Sequence, residues 1–164
     1  MPALIAFYCP SVLCYGRLNT KGNAAPSDVS YGVESKSVGL RLAEDFHRIE
    51  IRYPTAVANP YLVYAATVAA GMDGLKNKSE QQNKQNKSEH SAKTELDNRE
   101  IDEHEIKLPT SLKEALVNLQ KNQTLVKFFG EKFIDHFVSM KMEEIEEAES
   151  MSEQELIELY RKCV

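Results

Sequence analysis

Residues 48–53 read Arg-Ile-Glu-Ile-Arg-Tyr, a strict alternation of charge and apolar bulk. A β-strand turns successive side chains to opposite faces. Ile49, Ile51 and Tyr53 therefore share one face, and Arg48, Glu50 and Arg52 share the other. A chain carrying such a strand must build a sheet with one dry side and one polar side. Two readings of the polar side stand open. It is a solvent-facing charge ladder that neutralises itself, or it is the wall of a polar cavity. In the second case Glu50 can hold a hard cation through oxygen. Arg41, Arg48 and Arg52 can then clamp carboxylate or phosphate oxygens bidentately. That set suits ATP-dependent carboxylate chemistry, where positioning and charge neutralisation carry most of the catalysis. The sequence holds no Walker loop and no dinucleotide glycine motif, so side chains would have to supply the phosphate contacts.

The surrounding elements follow from local signals. Val38, Leu40 and Leu42 alternate with Arg41 and predict a second strand. Asn59-Pro60 is a strong helix start, because Asn caps and Pro fits the first helical position. The segment behind it, YLVYAATVAA, is apolar all round and predicts a helix over 61–70 buried on several sides, ended by Gly71 or Gly74. Ser111-Leu112-Lys113-Glu114 is a capping box before an apolar stripe at Leu112, Ala115, Leu116 and Leu119, which predicts a helix to about Lys121. A second short helix carries Leu125, Phe128 and Phe129 up to Gly130. A long one follows from Glu131, with Phe133, Ile134, Phe137, Val138, Met140 or Lys141, Ile145 and Ala148 on one face. Ser152-Glu153-Gln154-Glu155 opens a last helix with Leu156, Ile157 and Tyr160. The phenylalanines read as packing, and the run Glu143, Glu144, Glu146, Glu147, Glu149 as a solvated helix face.

Between these parts lies a different composition. Residues 76–107 are almost wholly polar and cannot bury enough surface to offset chain entropy. They read as a long mobile loop or linker, with a solvated charged helix over 94–106 as the alternative. His90 and His104 fall here without ligand-spaced partners, so they are weak metal candidates. The expected organisation is 1–75 as a partial catalytic domain of strands and buried helix, 76–107 as the polar linker, and 108–164 as a C-terminal helical segment of the same domain. The net charge of −5 over 164 residues argues against a duplex nucleic-acid binder. Three cysteines, an odd and sparse number, imply no disulfide framework and favour a reducing, cytoplasmic setting. The apolar opening residues lack a basic flank and are broken by Pro2 and Pro10, a poor secretory signal. No apolar run is long enough to span a membrane.

The order of these motifs resembles one family. Arg48-Ile49-Glu50-Ile51-Arg52-Tyr53, then Ala58-Asn59-Pro60-Tyr61-Leu62, then Ala69-Ala70-Gly71-Met72-Asp73-Gly74 are similar to the C-terminal part of glutamine synthetases. Pro10-Ser11-Val12, Tyr15-Gly16-Arg17-Leu18, Ala25-Pro26, residues 31–41, Leu108-Pro109 and 111–116 add to the match. The resemblance covers nearly the whole chain and about the last third of a family member. It implies an α+β fold, a few antiparallel strands plus helices from the C-terminal part of a glutamine synthetase-type catalytic domain. It implies the joining of glutamate and ammonia at the expense of ATP through a γ-glutamyl phosphate, with magnesium or manganese, in a homo-oligomeric ring. By that resemblance Glu50 is a metal ligand and Arg17 and Arg52 hold the substrate glutamate. Arg41, Arg48 and Lys36 lie on the nucleotide side.

The departures bear on activity. Lys36 stands where the family has an arginine; it keeps the charge and loses the planar fork. Ala24 stands at the position of a flap glutamate, and alanine can neither close the site nor take a proton, so no catalytic residue is assigned. The 41–48 connection is short. The family's N-terminal small domain and the strands bearing its other metal ligands have no counterpart here, and one glutamate cannot assemble a multi-cation site. The chain is therefore expected to be a fragment or short product, inactive by itself. Residues 58–75 are worded most like lengsin, the branch of the family regarded as non-catalytic. A structural or ring-assembly role is the alternative.

Overall fold

The computed structural model describes residues 1–19, 25–44, 47–85 and 106–163. Its core is assembled from both ends of the chain. A 3-10 turn, Pro2–Leu4, runs into the short helix α1, Ile5–Tyr8, and every residue of 3–9 is buried. Helix α4, Leu112–Lys121, packs on both through Leu112, Ala115, Leu116 and Leu119, the stripe its sequence predicts. Burying four such side chains contributes on the order of several kcal/mol.

Three of the four C-terminal helices described start at a side-chain cap, and α6 starts at a glycine turn. Ser111 Oγ accepts from the Glu114 N–H at 3.2 Å. The Glu114 carboxylate reaches back one residue further than a standard box, accepting from Thr110 N and Oγ1 at 2.8 and 3.0 Å. Asn122 Oδ1 accepts from Leu125 N at 2.9 Å and opens α5, Gln123–Phe129. Gly130 then takes φ 87°, a conformation that disfavours any Cβ, and turns the chain into α6, Glu131–Glu149. The Ser152 box opens α7, Glu153–Cys163, with Ser152 and Glu155 bonding reciprocally. The phenylalanines do pack. Phe7 lies between Phe129 and Phe137, with ring centroids 5.0 and 4.9 Å away. On α6, Ile134, Phe137, Val138 and Ile145 are buried, whereas Phe133 and Met140 stay partly in solvent. The predicted apolar face is thus wider than the buried one.

Helix α3 departs from the sequence expectation twice. Asn59 Oδ1 caps it as expected, accepting from Tyr61 N at 3.0 Å. The helix then runs Pro60–Gln85, through both glycines and into the segment expected to be linker. A helical glycine costs only about 1 kcal/mol, and the Lys/Gln/Glu-rich residues beyond are good helix formers. The expectation for the rest of the linker, and the alternative helix over 94–106, fall almost wholly on 86–105, outside the described residues. The second departure is burial. Ala66 and Ala69 are buried and Tyr8 Oη bonds Thr67 Oγ1 at 2.8 Å, but Tyr61, Tyr64, Val68, Met72 and Leu75 are exposed. Among the described residues nothing covers that face, so the helix is buried on one side, not several.

The sheet orders its three strands β1-β2-β3: β1, Tyr31–Val33; β2, Leu40–Leu42; and β3, Ile49–Ile51. The β2–β3 pair is antiparallel, Arg41 opposite Glu50. The β1–β2 pair is parallel, Gly32 opposite Arg41. The fold is α+β as expected; the antiparallel pairing expected of the strands holds for β2–β3, and β1 joins in parallel. Tyr53 fastens it to the core. Its ring is fully buried, and its hydroxyl donates to Asp28 O at 3.0 Å and accepts from Ser30 N at 3.3 Å. Gly39 is what lets it pass, because a Cβ there would lie 1.7 Å from the Tyr53 hydroxyl.

Candidate functional site: a charged row across the sheet

The alternation in β3 and the Arg41–Glu50 register put the charges on one face. Arg41 Nη1 donates to Glu50 Oε2 at 3.0 Å, and Arg52 Nε lies 3.6 Å from Glu50 Oε1. Both oxygens of Glu50 thus face guanidinium groups. The other arm of the Arg41 fork, Nη2, donates to Glu34 Oε2. Arg52 Nη1 donates to the carbonyls of Lys36 and, at 2.8 Å, Val38. Its side chain is 13% exposed against 23% for Arg41, so Arg52 is the more firmly seated of the two. Arg48 lies close enough to act on Glu34 by its charge, and its carbonyl accepts from Ala43 N at 3.0 Å, closing the β2–β3 connection.

Arg17 comes from elsewhere. It sits on α2, Tyr15–Asn19, and its guanidinium reaches the end of β3, donating to the carbonyls of Arg52 at 3.3 Å and of Tyr53. The Tyr53 carbonyl also accepts from the Cys9 thiol at 3.4 Å. Burial pushes that thiol up to about 12, so Cys9 is an inert packing group. Lys36 is exposed in the β1–β2 connection. The structure therefore gathers Arg41, Arg48, Glu50 and Arg52 on one face, with Lys36 and Arg17 at its margins. Ala24 lies outside the described residues.

Glu34 is absent from the sequence-based set. It follows β1 at φ 50°, outside extended backbone, so strand alternation carried no signal for it. Its carboxyl is held below the ordinary glutamate range, first by the hydrogen bond from Arg41 and then by that from the Glu44 backbone. The row of alternating charge, Glu34, Arg41, Glu50, Arg52, is largely self-neutralised.

A metal centre needs several hard donors converging on one point. Among the described residues no group of three His, Cys, Asp or Glu does so, and Glu50 already faces two cations. These residues do not fit a complete metal centre; Glu50 can be one donor of it at most. An apolar hollow of about 270 Å³ lies between Phe7, Leu62, Phe137 and Met140, and no sheet residue lines it.

The family model for the glutamine synthetase catalytic domain matches residues 1–160, which include the whole charged row and the helices up to the last turn of α7. The chain belongs to the glutamine synthetase family. Curated relatives agree. The chain is 35% identical to a glutamine synthetase of Bradyrhizobium diazoefficiens, over 90% of itself and 32% of that protein. It is 36% identical to human lengsin over 92% of itself and 29% of lengsin. It is 35% identical to a glutamate–methylamine ligase of Methyloversatilis universalis over 94% of itself and 35% of that enzyme. A solved structure described as apo GmaS without ligand superposes with a TM-score of 0.69 at 28% identity, over 94% of this chain and 34% of that one. A GmaS/ADP complex gives 0.68 at 26% identity, over 94% and 35%. The chain spans about a third of the length of these glutamine synthetase-family relatives. No described helix is long and apolar enough to cross a membrane.

Proposed function

We propose that this chain forms one wall of the ligand site of a glutamine synthetase-type ligase, which joins an amine, ammonia in the first instance, to glutamate at the expense of ATP through a γ-glutamyl phosphate. The observation that carries the reading is the cross-strand set Arg41–Glu50–Arg52, seated on one sheet face inside a chain the family model matches almost end to end. Arg41 and Arg48, with Lys36 beside them, are the groups for nucleotide phosphates. Arg52 and Arg17 are those for the glutamate carboxylate, since planar forks suit such oxygens. Glu50 supplies one oxygen donor toward magnesium or manganese. With that donor alone, and with Ala24 at the flap position, the chain by itself does not turn over. Assembly into a homo-oligomeric ring and a cytoplasmic setting belong to the same reading.

A second reading is supported by the self-neutralised row and by the likeness to lengsin. In it the arginines hold the sheet together and the chain is a structural or assembly element. Calorimetric titration of the full chain with ATP and magnesium separates the two. The ligase reading expects binding that Arg41→Gln weakens roughly tenfold, the cost of about one charge-assisted contact. Absence of binding by the wild-type chain overturns it in favour of the structural reading.

A further inference from the structure

Glu34 is a non-glycine residue at positive φ, 50°. The left-handed region crowds a Cβ against the following carbonyl, so a glutamate there is destabilising where glycine would not be. Such a conformation persists when surrounding structure over-determines it, and it points toward function rather than away from it. What over-determines it is visible. The Glu34 N–H donates to Leu42 O at 2.9 Å at the end of the parallel ladder. Its Oε1 accepts from Glu44 N at 2.9 Å, in the β2–β3 connection. Its Oε2 accepts from the Arg41 guanidinium. One carboxylate is thus anchored by backbone on one side and holds a side chain on the other. A second observation concerns Arg41. Its Nη1 and Nη2 are each taken by a carboxylate, while its Nε is buried without a hydrogen-bond partner among the described residues. The fork is fixed by Glu34 and Glu50 together, and not by its own stem.

We propose that Glu34 is a positioning residue for Arg41: the left-handed turn after β1 places its carboxylate so that Arg41 stands preoriented across the sheet face. This rests on the reading of Arg41 as an anion-recognising group. Glu34 does not touch the ligand. It fixes the plane of the guanidinium that does, so the entropy of ordering that side chain is already spent before an anion arrives.

The test uses the full chain and arginine side-chain NMR, with Glu34→Gln and Glu34→Gly beside the wild type. Gln keeps the size and removes the charge. Gly relieves the backbone and removes the carboxylate. The expected result is a distinct, slowly exchanging Arg41 Nε–H in the wild type that exchanges roughly fivefold faster or more in both variants, while the Arg52 signal, held by carbonyls, stays put. Retained slow exchange in Glu34→Gln overturns the proposal. A Glu34→Gly chain that keeps its thermal midpoint and still loses the Arg41 signal supports it against a merely structural role. ATP is then added to each. Weakening by the two variants extends the proposal to binding. A Glu34-dependent Arg41 signal with no response to ATP in the wild type overturns the nucleotide reading of Arg41 and leaves the Glu34 hold on it standing.

Discussion

The sheet of 31–53 and the helices of 112–163 are stabilised in opposite ways. The helical part is local and redundant. Each of its helices follows a cap or a glycine turn, and α4, α5 and α6 place apolar side chains in one core shared with residues 3–9. The sheet has three strands of three residues, and exposed Tyr31, Val33 and Ile49 show how little it buries. It holds through the Tyr53 ring with partly buried Leu40 and Ile51, and through ion pairs across its polar face. Charges paired on a thin sheet face lie partly exposed, where a ligand can reach them, whereas the helical core is closed.

The contrast can be broken from the helical side first. Leu119→Ala removes a fully buried side chain and is expected to cost about 2–5 kcal/mol, lowering the denaturation midpoint of the whole chain as read by circular dichroism. Gly39→Ala strikes the other region. Its Cβ collides with the Tyr53 hydroxyl, an overpacking expected to cost roughly 1–3 kcal/mol. Amide exchange should then accelerate in 31–53 while α4 and α6 keep their protection; uniform acceleration would show that sheet and helices are one cooperative unit. Ser111→Ala removes the cap of α4 and should cost about 1 kcal/mol, visible as a small fall in midpoint.

The smallest effect is a pH effect on α7. The Glu155 carboxyl is held below its ordinary value near 4.5 by the Ser152 hydroxyl and then by the Ser152 backbone. A carboxylate depressed in the folded state stabilises above its unfolded value and loses that contribution as pH falls through the folded one. The first turn of α7 should therefore loosen below about pH 4.5, with faster Glu155 amide exchange. Glu155→Gln should remove that pH dependence.

What the sequence made legible divides along the same line. Caps and stripes are short-range signals, so α4 to α7 could be read almost to their ends. The Arg-Glu-Arg alternation placed one face of β3, because period two needs no knowledge of neighbours. What escaped was non-local. The parallel pairing of β1 is set by Tyr53 and Gly39, far apart in sequence, and Tyr31-Gly32-Val33 carries no alternation long enough to announce a strand. Glu34 was missed because its role lies in a backbone angle and in a hydrogen bond to Glu44, neither of which composition encodes. The apolar opening residues were read only as a failed secretory signal and a family match, yet they form the centre of the core, which needs α4 to be recognised. The extension of α3 through Gly71 and Gly74 reflects how weak a single glycine is as a stop signal.

In the proposed function the charged sheet face is a ligand wall and the helices are scaffold. Mapping backbone amide shifts of the full chain during an ATP titration tests it most directly. The account predicts shifts concentrated at 34–36, 41 and 48–52, absent in Arg41→Gln, with α4 to α7 unmoved. Shifts confined to the helices, or none at saturating ATP, would contradict it.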